Sequence, residues 1–169
     1  GEPDGREGEE RVRARVAALS AARLVIALGG DNSATYAVAQ GRAARGLITL
    51  DAHFDLRDGE SNGSPVRRLI ADGFDPRRIV QIGIADFANS AAYARRAADA
   101  GITVVGLDEV RRHGVDAVVA EALRVAGAGE GGIHVDVDVD VCDRAVAPGC
   151  PASVPGGLAA WELRALVRG

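Results

Sequence analysis

The chain has no lysine and no methionine, and all 20 of its basic Lys or Arg positions are arginine. Aromatic residues make up only 4%. No basic cluster interleaves with aromatics and the net charge is −4, which argues against nucleic acid as a partner. No apolar run approaches the roughly 20 residues that a membrane span needs. The two cysteines, Cys142 and Cys150, are too few for a disulfide framework and are expected to be reduced thiols. No secretory or myristoylation pattern opens the chain. Taken together, these absences predict a cytoplasmic protein with neither nucleic acid nor membrane as partner.

What is present is a composition ordinary for a globular protein, 47% apolar and 26% charged over 169 residues. Residues 1–8 are polar and Gly-rich and are expected to be disordered, leaving 9–169 as one domain. Apolar spacing at Val12, Val16 and Leu19 predicts a first helix over Glu9–Ala22. Leu24–Leu28 reads as a short buried strand running into the turn Gly29-Gly30-Asp31-Asn32-Ser33. Further strands are expected at Leu47–Leu50, Arg78–Ile84, Ile102–Val105 and Ile133–Val139. Helices are expected from Pro65, over Asn89–Ala100, Asp108–Arg112 and Val115–Val125, and over Leu158–Val167. Strands alternating with helices predict an α/β fold, a three-layer αβα sandwich around a mostly parallel sheet. Such sheets bind ligands outside the carboxyl ends of their strands.

Two clusters lie at that edge. The first is Asp51-Ala52-His53-Phe54-Asp55, and the second is His134-Val135-Asp136-Val137-Asp138-Val139-Asp140. Each follows an apolar run. Side chains alternate along a strand, so Asp136, Asp138 and Asp140 are expected on one face, about 7 Å apart at roughly 3.3 Å per residue. The intervening valines are expected to be buried. Carboxylates so placed raise one another's pKa and are costly to bury unless a cation compensates them. An oxygen set with one imidazole suits a hard or borderline divalent ion, Mn²⁺ best. An EF-hand does not fit, because Val141 stands at its sixth position and Ala147 at its twelfth. A phosphoesterase-type site would call for more histidines than the three present.

These residues resemble the arginase/agmatinase/formimidoylglutamase (ureohydrolase) family. Its signatures are matched by Gly29-Gly30-Asp31-Asn32-Ser33, by Asp51-Ala52-His53-Phe54-Asp55, and by Asp138-Val139-Asp140 with Asp143, Ala147-Pro148-Gly149 and Gly156-Gly157. The likeness runs from about Leu24 to Leu158, and Ser61–Arg67 looks most like the formimidoylglutamase branch.

The resemblance implies a ureohydrolase fold and two Mn²⁺ ions. Asp51 and Asp138 would bridge them. His53 and Asp140 would complete the second ion's shell, Asp55 would serve the first, and Asn32 takes the first-metal position where the family usually has His. A hydroxide held between the ions would attack a formimino or guanidino carbon. Asp55 and Asp143 are candidate supporting residues, and Asp31 would orient the ligands. Asn62 and Arg67 are the candidate substrate-binding residues, Asn62 standing where arginases place a His. Arg57, Arg67 and Arg68 flank the site loop, and a forked guanidinium suits a carboxylate. The expected reaction is hydrolysis of a non-peptide C–N bond, formimidoylglutamate to glutamate and formamide first. An agmatinase- or arginase-like reaction on a guanidino compound is the alternative, and a catalytically silent homologue the rival. The family commonly forms homo-oligomers. Relatives are longer, so the fold is expected to be incomplete and truncated at both ends.

Overall fold

A computed structural model of the chain describes residues 5–169. The sheet has four parallel strands in the order β3-β2-β1-β4: β1 Gly46–Leu50, β2 Ile79–Ile84, β3 Thr103–Gly106 and β4 Ile133–Val137. Seven helices accompany it: α1 Gly5–Ala17, α2 Ser33–Gly41, α3 Pro65–Ala71, α4 Ala91–Ala100, α5 Leu107–His113, α6 Val115–Ala126 and α7 Ala160–Arg168.

Alternation along the strands builds the three layers. Ile48 and Leu50 of β1 and Val80 and Ile82 of β2 pack with Val110, Val118, Val125 and Leu166 of α5, α6 and α7. Leu47 and Ile79 point the other way, to Ala39, Val66, Leu69 and Ala97 of α2, α3 and α4. Both central strands are buried along their whole length, as a sheet covered on both faces requires. Gly46 is needed where β1 begins, because a Cβ there would lie 2.1 Å from the Ala126 carbonyl oxygen.

Five expectations are corrected. The first helix begins at Gly5 and ends at Ala17 rather than spanning Glu9–Ala22. Gly5–Gly8, expected to be disordered, form its first turns, while residues 1–4 lie outside the described residues. Arg6 pairs with Glu60 at 2.8 Å, and Glu9 accepts from Arg68 at 2.7 Å, so charge anchors the helix ahead of its apolar stripe.

Leu24–Leu28 is not a strand. Leu24, Ile26 and Leu28 are 74%, 77% and 95% exposed. An apolar run becomes a strand only beside a hydrogen-bonding neighbour, and no strand of the four-stranded sheet pairs with it.

β4 stops at Val137, and Val139–Val141 turn as a short 3₁₀ helix, so Asp140 does not continue the strand face of Asp136 and Asp138. The valines expected inside are outside: Val135, Val137 and Val139 are 51%, 38% and 54% exposed. β4 pairs only with β1 and leaves its other edge open. No described helix is long and apolar enough to cross a membrane.

Candidate metal centre

The carboxyl edge of the sheet gathers the acidic clusters. β1 delivers Asp51, whose N–H donates to the Ile82 carbonyl of β2 at 3.0 Å, so its backbone continues the ladder while its side chain turns into the edge. β4 delivers Asp138, whose N–H donates to the Leu50 carbonyl at 2.9 Å. Asp138 then caps the 3₁₀ turn, accepting from the Asp140 N–H at 3.0 Å. Gly83 makes this turn fit. Its φ of +94° lies where β2 shifts register, and a Cβ there would meet Val141 at 2.3 Å.

The turn swings Asp140 across to the first cluster. Its Oδ1 accepts from the Ala52 N–H at 3.0 Å, and its Oδ2 bonds His53 Nδ1 at 2.8 Å. Asp51 Oδ1 accepts from the His53 N–H at 2.6 Å. Ligand atoms of Asp51, His53 and Asp140 lie within 4.8 Å of one another. The Asn32 amide donates to Asp51 at 3.1 Å and, over a shorter contact, to Asp55. Its own Oδ1 accepts from Thr35 Oγ1 at 2.8 Å. Asp55 has a φ of +53°, in the left-handed region that Asp tolerates better than most residues but that is costly away from functional sites.

The electrostatics are those of a site built around a cation. Burial, with repulsion from Asp55, Asp140 and Asp138, drives the Asp51 carboxyl well above the usual range. Burial and the nearby Asp138 and Asp136 push Asp55 up to about 7. Asp138 is raised by burial, and burial lifts Asp136 to about 6. Burial also pushes Asp140 up, but its hydrogen bonds from His53 and Ala52 outweigh that and hold it below the usual range. His53, bonded to Asp140 and Asp51, rises to about 10. The imidazolium thus supplies one positive charge to a nest of five carboxylates. An oxygen-rich donor set with one imidazole and surplus negative charge fits a divalent cation.

The clusters border one cleft of about 490 Å³, lined by Asp31, Asn32, His53, Asp55, Asn62, Asp138 and Asp140 among others. Asp51 lies at its buried margin, 2% exposed. Two expected site residues stand apart. Asp143 does not line the cleft; its carboxylate accepts from the Ala145 and Gly156 N–H groups at 2.8 and 2.7 Å and pins the following loop. Arg67 also lies off the cleft, because its guanidinium donates to the Arg57 carbonyl at 2.7 Å and, at closer range, to that of Gly59. Arg57 lines the cleft instead.

Two residues with no role assigned from sequence hold the first cluster in shape. Asn89 accepts from the Phe54 N–H at 3.2 Å and donates to the Ala52 carbonyl at 2.9 Å. Gln81, fully buried, donates to the Phe54 carbonyl at 2.9 Å. A fully buried glutamine inside an apolar strand is the signal that could have exposed the second, since buried amides are hydrogen-bonded. Nothing local marks Asn89.

An open parallel α/β sheet with a carboxylate- and imidazole-lined cleft at its carboxyl edge has donors that could hold a metal ion. The chain belongs to the arginase family, which it matches over residues 4–169. It is 38% identical to formimidoylglutamase of Bacillus subtilis (strain 168) over 150 residues, 83% of this chain and 47% of that protein. It is 39% identical to guanidinopropionase of Pseudomonas aeruginosa over 160 residues, 89% of this chain and 50% of the relative. The crystal structure of the Bacillus subtilis formimidoylglutamase superposes with a TM-score of 0.88 at 34% identity, covering 96% of this chain and 54% of that one. The chain spans about half the length of the curated relatives it matches.

Proposed function

We propose that this chain forms the metal-binding part of a Mn²⁺-dependent hydrolase of non-peptide C–N bonds in linear amidines, with formimidoylglutamate the first candidate substrate. The carrying observation is the convergence of Asp51, His53 and Asp140 from two remote segments, with Asp55 and Asp138 beside them. Identity to formimidoylglutamases and to a guanidino-acid hydrolase supports the reaction class.

Asp51, Asp138, His53, Asp140, Asp55 and Asn32 are the residues that would hold the Mn²⁺. Bound divalent ions supply Lewis-acid activation of water near neutral pH. The rest is done by the chain. The Ala52 N–H fixes the rotation of Asp140, and the His53 N–H fixes that of Asp51. Asn32 would reach an ion by turning its Oδ1 away from Thr35, and its amide N–H groups would then leave Asp51 and Asp55 free to ligate. The proton on His53 Nδ1 must leave before that nitrogen can serve as a ligand, so ion binding is linked to proton release. Asn62 borders the cleft where a substrate would lie.

Incubating the full-length protein with Mn²⁺ and formimidoylglutamate tests this reading. Formamide release that depends on Mn²⁺ is expected. Urea release from agmatine or a guanidino acid instead would shift the assignment to the guanidino branch. Neither product from a Mn²⁺-loaded protein would favour the silent homologue, which the Asn32 amide lodged between two carboxylates keeps in play.

A further inference from the structure

Building on that reading, we propose that Gln81, Thr49 and Asp136 form a buried, water-bridged polar row one layer beneath the metal centre, and that this row positions three of its ligands.

Strand register builds the row. Thr49 of β1 lies opposite Gln81 of β2 on one side and opposite Asp136 of β4 on the other. Neighbouring strands are roughly 4.8 Å apart, so the three side chains cross one face of the sheet in a single line. Ile48 and Leu50 face α5, α6 and α7, which leaves Thr49 on the side of Leu47, α2, α3 and α4. Gln81 is 0% and Thr49 1% exposed.

Among the described residues, three buried side-chain atoms lack a hydrogen-bond partner, and they are Thr49 Oγ1, Gln81 Oε1 and Asp136 Oδ2. All three belong to this line. Buried polar atoms are nearly always partnered, so three orphans at one register call for a shared guest. All three are oxygens. The Gln81 amide N–H is spent on the Phe54 carbonyl at 2.9 Å, which leaves the amide oxygen as its free end. The Thr49 hydroxyl has one proton, and one proton cannot serve an oxygen on each side. Water brings two donors and an acceptor, and buried water typically makes about three such bonds. A cation in the row would stand roughly 7 Å from the divalent centre and be repelled by it.

Each member stands behind one ligand. Thr49 precedes Asp51 on β1, and Asp136 precedes Asp138 on β4, each by one strand repeat. Gln81 holds the carbonyl of Phe54, the residue before Asp55 with its left-handed backbone. Asp140 ties the two ligand segments together within the site through Ala52 and His53. The row ties them together from beneath. Gln81, Thr49 and Asp136 are therefore positioning residues.

The test pairs crystallography with Mn²⁺ titration, both on the full-length protein. Metal-free crystals that resolve ordered solvent are expected to show a water within about 3.2 Å of Thr49 Oγ1 and of Gln81 Oε1 or Asp136 Oδ2. Side chains bonded directly to one another, or a cation among them, would overturn the row. Thr49→Val keeps the shape and deletes the hydroxyl, and is expected to weaken Mn²⁺ binding roughly tenfold or more, as loss of an outer partner of a metal site does. Thr49→Ser keeps the hydroxyl and is expected to bind Mn²⁺ within about twofold of wild type. A Thr49→Val protein that melts earlier without metal yet binds Mn²⁺ as wild type does would overturn the positioning role. Wild-type protein that binds no Mn²⁺ would sink the hydrolase reading and the positioning role with it, while the water peak still decides the row.

Discussion

Asp51 is 2% exposed and faces Asp55, Asp138 and Asp140, so burial and repulsion act together on one carboxyl. Single substitutions can separate its neighbours' roles. Asp138→Asn should weaken Mn²⁺ retention by about 100-fold or more, since even outer partners of a metal site are worth 10–100-fold. Asp143→Asn should leave Mn²⁺ content unchanged, because Asp143 holds backbone N–H groups outside the cleft. Metal analysis of the two purified variants decides it. His134 provides a separate, acid-side prediction. Burial lowers it to about 4, below the ordinary 6.5. Between those values the unfolded chain binds the proton and the folded chain does not, so the contribution to stability is full above pH 6.5 and is lost as pH falls toward 4. His134→Leu should therefore lose less stability than wild type between pH 7 and 5 in urea unfolding. Asp55 and Asp136, raised to about 7 and 6, act with the opposite sign but are present in both proteins and cancel in the difference.

At the scale of elements, the strands that end in the site were legible where both faces are covered. Strands were expected at Leu47–Leu50 and Arg78–Ile84, and the structure forms them over Gly46–Leu50 and Ile79–Ile84 with every residue buried. The helices from Pro65 and over Ala91–Ala100 and Val115–Ala126 form where apolar spacing placed helices, the first with Pro65 in its first turn and the second capped by Ser90. Reading failed where the outcome depends on a neighbour rather than on the run itself. Leu24–Leu28 has strand composition but no ladder partner, and Asp138-Val139-Asp140 has strand alternation but turns because the Asp138 carboxylate caps the Asp140 N–H group. The gathering of the acidic clusters at one edge was legible because carboxylates at strand ends need compensation. The partners of the loop arginines were less so, since Arg68 is held by Glu9, remote in sequence. Gly83 ties elements to site. Gly83→Ala should cost about 1–3 kcal/mol for its left-handed backbone and should displace Val141, and with it Asp140, lowering Mn²⁺ affinity as well as the melting temperature. Melting curves with and without Mn²⁺ would show both effects.

At the scale of the molecule, the two cores on opposite faces of the sheet leave one side unfinished. The outer edge of β4 is open, and an apolar groove of about 480 Å³ runs from Val137 and Val139 to Leu163 and Val167 of α7. Exposed Val135 and Trp161 and the exposed Leu24–Leu28 segment add to the apolar surface. An open strand edge with apolar side chains invites pairing with another strand. The 169-residue chain on its own should self-associate at micromolar concentration, and Val135→Lys with Val137→Lys should suppress this in sedimentation experiments without changing Mn²⁺ binding. The central claim is that the carboxylates of two remote segments meet because a divalent cation belongs among them. It is tested most directly by anomalous diffraction at the manganese edge from crystals grown with Mn²⁺. The account predicts a strong peak in contact with Asp51, His53 and Asp140. Well-ordered carboxylates with no anomalous signal between them would contradict it.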